Sequence, residues 1–148
     1  MEKIKKLRKK TGAGVMEVKR ALDKASGDEK KAEAILKERG AFMMEKKSGR
    51  TAKQGLIDAY VHLGKIGVLV EVNSETDFVA RNEEFKTFVH EIALQVASSG
   101  VATVEDLLKE PYFKDPDRTI EDLLKEIIAK IGENIKIKRF VKFSLGEE

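Results

Sequence analysis

Few side chains in this sequence are of types suited to covalent chemistry. It has two histidines, His62 and His90, and no cysteine, which excludes disulfides, thiolate metal sites and cysteine nucleophiles. The histidines fall on different predicted elements without a matched partner, so we interpret both as structural or surface residues. The phosphate-binding pattern Gly-x-x-x-x-Gly-Lys-Ser/Thr is absent from the sequence, and most carboxylates occupy solvent-facing helix positions. The sequence therefore predicts neither an enzyme nor a metal or cofactor site.

One polar segment, residues 73–82, separates an apolar strand pattern from an amphipathic helix pattern. It contains a phenylalanine, Phe78, directly after a carboxylate, Asp77. In one interpretation Asn82 or Asp77 caps the helix that follows and Phe78 fills the core. In the other, Asp77 and Phe78 are presented to a partner, because loops on rigid scaffolds commonly carry function and exposed aromatic residues often anchor interfaces. The two are compatible, since capping by Asn82 leaves Asp77 and Phe78 free.

A glycine-rich turn near the start of the chain is a second candidate contact surface. Gly12 and Gly14 interrupt a helical pattern, and Val15 and Met16 follow them. In one interpretation Leu7, Val15 and Met16 are simply core residues. In the other interpretation these residues contact a partner, because three small helices cannot bury every apolar residue. A methionine beside the turn would offer such a partner an adaptable contact.

The elements that carry this turn are three short helices within residues 2–40. Apolar residues recur at helical spacing in the second of them: Val15, Val18, Ala21, Leu22 and Ala25. Asp28 is suited to cap the third helix, and Gly40 is predicted to end it. Residues 1–45 therefore form a predicted module, with a core too small for much stability alone. The polar residues 46–55 are predicted to be a linker.

The remaining residues, 56–148, mix strand and helix patterns. Ile57, Ala59, Val61 and Leu63 alternate with polar residues, as in a half-buried strand, and a short turn joins them to the apolar residues 66–72. Wide apolar stripes at 85–96 and 120–131 predict helices, and alternation at 135–145 predicts a third strand. The predicted fold is α+β, with the three-helix module followed by a core of a three-stranded antiparallel sheet packed with helices.

Charge is distributed unevenly along the chain. Residues 1–55 contain 17 Lys and Arg against 8 Asp and Glu, whereas residues 56–148 contain 12 against 18. The basic part is suited to attract nucleic acid or an acidic protein surface. Interleaved acidic residues, only two tyrosines and no tryptophan argue against direct nucleic-acid binding. The sequence lacks a bilayer-length apolar run and a signal-peptide pattern, which predicts a cytoplasmic protein without membrane contact.

Three segments of the sequence resemble the elongation factor Ts family. The first is residues 7–22, which read LRKKTGAGVMEVKRAL. The second is residues 67–73, which read GVLVEVN, followed by residues 76–82, which read TDFVARN. The third is residues 129–135, which read AKIGENI. They occur in the order of the family and together reach across most of the chain, which makes the resemblance specific.

The resemblance implies a guanine nucleotide exchange factor for the GTPase elongation factor Tu. It implies that the N-terminal module folds like a ubiquitin-associated domain and packs on the GTPase domain. The residues it assigns to that contact are Leu7, Gly12, Ala13, Gly14, Val15 and Met16. It implies further that Asp77 and Phe78 wedge between helices of the GTPase near its Mg²⁺ site and so promote GDP release. The residues of this second contact are Thr76, Asp77, Phe78, Val79 and Ala80.

The sequence departs from the family pattern in two respects. Val15 stands where relatives often have a second methionine. The chain also lacks the coiled-coil insertion and the second core half of long relatives, and the stretch between Ser99 and Arg118 is shortened even relative to other short forms.

The missing second core half and the predicted three-stranded sheet together predict a homodimer. Longer relatives carry two similar core halves, which a two-fold pair of this chain would restore. A sheet of three strands also has exposed edges, and the long predicted strand at 135–145 tends to find a partner unless it is covered. Lys136, Lys138 and Lys142 are predicted to share its solvent face. The alternative is a monomer in which the protein's own helices protect that strand.

Overall fold

Three helices precede the sheet, as the apolar spacing predicts. The computed structural model describes residues 1–147, in which these helices are α1 (Glu2–Thr11), α2 (Val15–Lys24) and α3 (Glu29–Lys47). Asp28 caps α3, because its carboxylate accepts hydrogen bonds from the backbone N–H groups of Lys30 at 2.9 Å and Lys31 at 3.2 Å. The helices share a small apolar core that is separate from the main one and consists of Leu7, Ala13, Val18, Ala21, Ala25, Ala32 and Leu36.

The prediction that Gly40 ends the third helix is wrong, because α3 continues to Lys47. Gly40 is buried where α3 passes α7 (Ile120–Ile131), and a Cβ at this position would lie 3.5 Å from the Cβ of Lys125. The glycine therefore permits a close approach of two helices. Beyond it, Met43 and Met44 pack against the main core, so α3 spans the predicted module and enters the predicted linker.

The strands of the protein are β1 (Gln54–His62), β2 (Ile66–Ser74), β3 (Pro111–Tyr112), β4 (Asp115–Thr119) and β5 (Lys136–Ser144). The main sheet is antiparallel, has the strand order β1–β2–β5 and confirms the predicted fold class. The helices that follow β2 are α4 (Asp77–Ala80), α5 (Glu83–Ser98) and α6 (Val104–Lys109). α5 packs on β1 and β2, so one face of the sheet belongs to the main core.

The apolar alternation in β1 marks the exposed face of the sheet, not the buried one. Ile57 and Val61 are exposed, and Tyr60 packs against the core instead. The register explains this orientation, since Tyr60 pairs with the buried Val68 of β2. Alternation defines two faces of a strand, but the neighbouring strand decides which of them is covered.

A β-bulge divides the long third strand into two parts. Ile137 pairs with Val72 and Arg139 pairs with Glu71, which leaves Lys138 as the additional residue. The bulge reverses the alternation, so Ile137 faces the core whereas Val141 and later apolar residues are exposed. Lys142 consequently leaves the solvent face predicted for it.

The region between Ser99 and Arg118 contains structure that the sequence patterns did not predict. It forms the short helix α6 and the two-stranded hairpin β3–β4. Leu107 and Tyr112 from this region are buried in the main core. Both elements are too short for a period to be recognised, and their apolar residues are widely spaced.

Candidate functional site

Two consecutive helix caps shape the segment that carries Asp77 and Phe78. The Thr76 hydroxyl accepts a hydrogen bond from the N–H of Val79 at 3.3 Å and caps α4. The Asn82 side chain accepts from the N–H groups of Glu84 at 2.8 Å and Phe85 at 3.2 Å and caps α5, as predicted. We call residues 75–80 the wedge loop. The caps turn the chain twice within a few residues and leave Asp77 and Phe78 at the tip.

Phe78 is 79% exposed, so the interpretation in which it fills the core is wrong. The two residues after it behave in the opposite way, since Val79 is 6% exposed and Ala80 is also buried. Val79 belongs to the main core and anchors the loop from below. Of the five residues assigned to this contact, Thr76, Asp77 and Phe78 therefore form its exposed surface.

The carboxylate of Asp77 lies 3.4 Å from the guanidinium of Arg81, one helical turn away. Both side chains are more than two-thirds exposed, and pairs of this kind contribute between zero and about 1 kcal/mol. A partner with a suitable cation or N–H donor can therefore displace Arg81 at little cost. The tip combines a large apolar side chain with an accessible negative charge.

The wedge loop is attached to the turn between α7 and β5 by hydrogen bonds that cross almost sixty residues of sequence. One oxygen of Glu133 accepts from the N–H groups of Glu75 and Thr76, both at 3.1 Å, and the other accepts from the Thr76 hydroxyl at 2.8 Å. In return, the N–H of Asn134 donates to the Glu75 carboxylate at 2.6 Å. We call these four hydrogen bonds the clasp.

The clasp continues into the connection between α3 and β1. The side-chain amide of Asn134 donates to the carbonyl of Arg50 at 2.7 Å, and the ammonium of Lys47 donates to the carbonyl of Gly132 at 2.8 Å. The end of the third N-terminal helix, the α7–β5 turn and the wedge loop thus form one connected network. Sequence reasoning placed Glu133 in a family segment without a role. The available signal was an acidic residue directly after Gly132, just beyond the helix predicted at 120–131.

The N-terminal turn is built differently. Gly12 ends α1 with a positive φ of 72°, and the hydroxyl of Thr11 donates to the carbonyl of Leu7 at 2.7 Å. Leu7 is 1% exposed and belongs to the core of the module, so here the core interpretation is correct. Met16 is 59% exposed, and Val15 is exposed as well. Ala13 is buried and Gly14 is exposed, so the accessible part of the turn runs from Gly14 to Met16.

The back of this turn rests on α7. A Cβ at Gly12 would lie 3.6 Å from the Cβ of Glu126. Burial raises the pKa of Glu126 to about 7, although its ion pair with Arg118 opposes the shift. Arg118 comes from β4 and also contacts Asp115 at 3.6 Å. A titratable carboxylate therefore lies at the junction between the N-terminal helices and the core.

The two histidines lie on the surface, as predicted, but the prediction that they lack partners is wrong. Nδ1 of His90 lies 2.8 Å from the carboxylate of Asp58, and Nδ1 of His62 lies 2.8 Å from the hydroxyl of Tyr60. Within residues 1–147, no three His, Asp or Glu side chains are arranged to hold a metal ion. No helix in the same range has the length and apolar character needed to cross a membrane.

Comparison with known proteins identifies the family. The family model described as elongation factor TS matches residues 75–148. The elongation factor Ts of Coprothermobacter proteolyticus is 45% identical to this chain, over 97% of the chain and 96% of the relative. Those of Alkaliphilus metalliredigens and Thermoanaerobacter sp. (strain X514) are 42% and 43% identical over 97% of the chain, covering 88% and 93% of their own lengths.

These alignments extend over 189 or 190 positions, so the relatives contain internal residues that this chain of 148 lacks. That difference agrees with the predicted internal shortening, whose location between Ser99 and Arg118 stays a prediction. Identity at this level over nearly the whole sequence exceeds what a shared fold alone requires. The chain belongs to the elongation factor Ts family.

Proposed function

We propose that the protein is the guanine nucleotide exchange factor of elongation factor Tu and acts through the wedge loop. Members of the elongation factor Ts family act as exchange factors for this GTPase in translation, and translation elongation takes place in the cytoplasm. The observation that carries the proposal for this chain is the exposure of Phe78 at the tip of a short helix whose next residues are buried. An exposed aromatic residue on a firm base is suited to insert into another protein.

The physical task of the factor is to weaken a tightly held nucleotide. A GTPase holds GDP through contacts of its phosphate loop and through a bridging Mg²⁺. An exchange factor must bind the nucleotide-free form better than the GDP-bound form. The effect is reciprocal, because a factor that weakens GDP binding is itself bound more weakly when GDP is present. GTP in excess then releases the factor.

We assign separate roles to the two contact sites. Phe78 inserts between helices of the GTPase near the Mg²⁺ site, and packed helices respond to such insertion by changing arrangement rather than by stretching. Asp77 exchanges its exposed ion pair with Arg81 for contacts in the altered partner. The turn at Gly14–Met16 binds the GTPase domain whether or not nucleotide is present. No catalytic side chain of the factor is needed, because no bond is made or broken.

The proposal is tested by release of labelled GDP from elongation factor Tu with Phe78→Ala. Truncating an interface aromatic often costs about 2 kcal/mol, which is roughly a thirtyfold loss of rate at limiting factor concentration. Phe113→Ala is the matched control, because Phe113 is also exposed but lies in the turn of the β3–β4 hairpin, outside both contact sites. Release at the unmodified rate with Phe78→Ala would show that the wedge assignment is wrong.

We further propose that the functional form is a homodimer formed through the exposed face of the main sheet. This face carries a set of large apolar residues contributed by all three strands and their connections: Ile57, Val61, Leu63, Leu69, Val141, Phe143 and Leu145. A second copy is the occupant we favour, because related proteins with two core halves would supply an equivalent surface internally. A two-fold axis through the face would pair it with itself. The predicted contact thus shifts from the edge of β5 to the face of the sheet.

Sedimentation equilibrium at micromolar concentration tests the dimer. The proposal requires a mass of twice the 16.6 kDa of one chain. Phe143→Lys places a charge on this apolar face and is expected to return the mass to that of one chain. Phe113→Lys, which alters an exposed aromatic residue elsewhere, should leave the dimer intact. A single-chain mass for the unmodified protein would exclude the dimer under these conditions.

A further inference from the structure

Three of the four hydrogen bonds of the clasp join the wedge loop to one side chain, that of Glu133. The donors are the N–H groups of Glu75 and Thr76 and the hydroxyl of Thr76, and the acceptor in each case is the carboxylate of Glu133. Hydrogen bonds to an ionised acceptor are roughly twice as strong as those between neutral groups. Residues 75 and 76 immediately precede the tip, so the direction in which α4 leaves β2 depends on this carboxylate.

The arrangement is reciprocal, which increases its rigidity. Glu133 accepts from the backbone of the wedge loop, and Glu75 in the wedge loop accepts from the backbone N–H of Asn134 at 2.6 Å. Each segment therefore contributes one carboxylate and one set of backbone donors. A pair of opposed contacts resists rotation of the loop about either contact, whereas one contact alone would act as a pivot.

The opposite side of the wedge loop is held by packing. Val79 and Ala80 are buried, and Val79 joins the main core. Packing of Val79 and Ala80 fixes the distance of α4 from the core. Because α4 has only four residues, or about one turn, this packing alone does not fix the direction of its axis. The hydrogen bonds of the clasp supply the second constraint. Phe78 thus lies between a buried anchor and a polar one.

A wedge that displaces part of another protein must not bend. Ordering an exposed loop costs conformational entropy at every residue, and a loop that is ordered beforehand avoids this cost on binding. The clasp provides that order in the uncomplexed chain. Two of its four bonds, both donated by Thr76 to Glu133, lie at the exposed surface directly beside the tip. Their position suits a role in holding the tip.

We propose that Glu133 is a positioning residue for nucleotide exchange, which holds Thr76–Phe78 in the orientation in which Phe78 acts. This inference rests on the function proposed above and adds a residue that lies outside both contact sites. Glu133 touches neither nucleotide nor, in this assignment, the GTPase. It acts through the wedge loop alone, and a set of substitutions at this position separates that role from a general contribution to folding.

The experiment compares Glu133→Ala and Glu133→Gln in release of labelled GDP from elongation factor Tu at several factor concentrations. Misplacing an acting group by about 1 Å costs up to a hundredfold, so we expect Glu133→Ala to lower the maximal release rate about tenfold. The half-saturating concentration should change less than about threefold, because the N-terminal turn supplies most of the affinity. Glu133→Gln should restore the rate to within about threefold, since its amide oxygen accepts from both backbone N–H groups.

Two further variants serve as controls. One tests whether loss of any surface charge lowers the rate, and the other tests whether the length of the side chain matters. Glu121→Ala removes an equally charged residue and an ion pair with Lys125 from α7, does not reach the loop and should exchange normally. Glu133→Asp keeps the charge but is one methylene shorter, so its rate should lie between those of the alanine and glutamine variants. If Glu133→Ala does not fold, the aspartate and glutamine variants still decide the matter, because equal rates for both would overturn the proposal.

Combined substitutions make the test specific to the loop. If Glu133 acts only through the tip, adding Glu133→Ala to a variant that already carries Asp77→Ala and Phe78→Ala should cause no further loss of rate. A further tenfold loss in the triple variant would overturn the inference. Full activity of Glu133→Ala alongside a slow Phe78→Ala would overturn it as well, while leaving the proposed function intact.

The clasp can also be tested without the partner. Glu133→Ala should increase hydrogen exchange at the amides of Glu75 and Thr76 at least tenfold, with the amides of Phe88 and Ile92 in α5 unchanged. If Phe78→Ala exchanges nucleotide normally, the wedge assignment fails, and this measurement still reports on the clasp. Unchanged protection at Glu75 and Thr76 would show that Glu133 does not hold the loop.

Discussion

The two candidate contact sites present similar side chains on very different supports. Phe78 and Met16 are both exposed apolar residues directly beside a sharp change of chain direction. The wedge loop is attached to Glu133 and Asn134, which lie almost sixty residues further along the chain. The N-terminal turn is supported within its own helices by Leu7 and by the hydroxyl of Thr11, and its back packs against Glu126 of α7. One site is thus fixed to the core by hydrogen bonds, whereas the other is held by local contacts and by packing.

This difference corresponds to the two tasks that an exchange factor performs. Displacing elements of a partner requires a stiff element, since a flexible one would yield instead. Binding a partner that changes conformation requires a contact that can adapt, and methionine is the most adaptable apolar side chain. The comparison therefore predicts that damage at the wedge loop lowers the maximal exchange rate, whereas damage at the N-terminal turn lowers affinity.

The largest effect is expected at a glycine below the wedge loop. Gly55 pairs with Asn73 near the end of β2 and has a φ of 132°. A Cβ there would lie 2.0 Å from the carbonyl oxygen of Val72, which the backbone cannot accommodate without moving. We expect Gly55→Ala to lower the free energy of unfolding by at least about 4 kcal/mol, measured by urea denaturation.

The matched substitution is Gly12→Ala in the N-terminal turn. Gly12 also has a positive φ, but the side chain nearest to its Cβ position is that of Glu126 at an ordinary 3.6 Å. The loss should therefore be about 1 to 2 kcal/mol, the cost of a left-handed conformation. Equal losses at the two positions would contradict the difference in rigidity on which the comparison depends.

The next effect concerns the division into a module and a core, which stays a proposal. Because Gly40, Met43 and Met44 contact the core, we place the cut before Gly40 rather than at residue 45. A fragment of residues 40–148 should unfold cooperatively and bind elongation factor Tu about a hundredfold more weakly, or about 3 kcal/mol. At high concentration it should still accelerate GDP release, because it keeps the wedge loop and the clasp.

A shorter fragment provides the control for this experiment. Residues 46–148 lack both methionines, so we expect that fragment to be less stable than residues 40–148 by about 2 kcal/mol or more. Urea denaturation of both fragments gives the comparison. A fragment of residues 40–148 that shows no cooperative unfolding would contradict the two-module proposal.

The sequence predicted the elements of this fold better than their faces and ends. Long apolar periods identified the helices at 85–96 and 120–131 and the three main strands, and Asp28 and Asn82 were correctly assigned as caps. These features depend on residues close together in the chain. Gly40 was misassigned because a glycine that ends a helix and one that allows two helices to approach have the same local sequence, and only the position of Lys125 distinguishes them.

The same limit applies to the site. Asp77 and Phe78 were identified as a candidate contact, because a polar segment between two strong patterns marks a loop, but this pattern left open whether Phe78 is buried. The exposed face of β1 and the bulge at Lys138 depend on pairing with β2, which the alternation does not encode. The clasp depends on contacts between residues 75–76 and 133–134, and no local pattern connects segments so far apart.

A smaller effect is expected at the junction behind the N-terminal turn. Burial raises the pKa of Glu126 to about 7, so the folded protein keeps a proton that the unfolded chain loses near its usual pKa of 4.5. Between these values the folded state binds more protons, and the free energy of unfolding must therefore fall as the pH rises. The contribution of Glu126 should fall by about 2 kcal/mol between pH 5 and pH 7.

Urea denaturation of Glu126→Gln at several pH values tests this contribution. The glutamine does not titrate, so the variant should lose less stability than the unmodified protein as the pH rises. Glu121→Gln, on a more exposed position of the same helix, should keep the unmodified pH dependence. Parallel stability curves for Glu126→Gln and the unmodified protein would contradict the assignment.

The smallest effect is expected for Met16→Ala, which tests the division of tasks most directly. Met16 is largely exposed, so its removal should leave the free energy of unfolding nearly unchanged. Burial of its side chain against a partner is worth about 1 kcal/mol, so the half-saturating concentration for GDP release should rise about fivefold. The maximal rate should not change, in contrast to Phe78→Ala. Met43→Ala, in contrast, should lower stability without lowering affinity, because Met43 packs against the main core. A reduced maximal rate for Met16→Ala at unchanged affinity would mean that the N-terminal turn takes part in displacing the nucleotide.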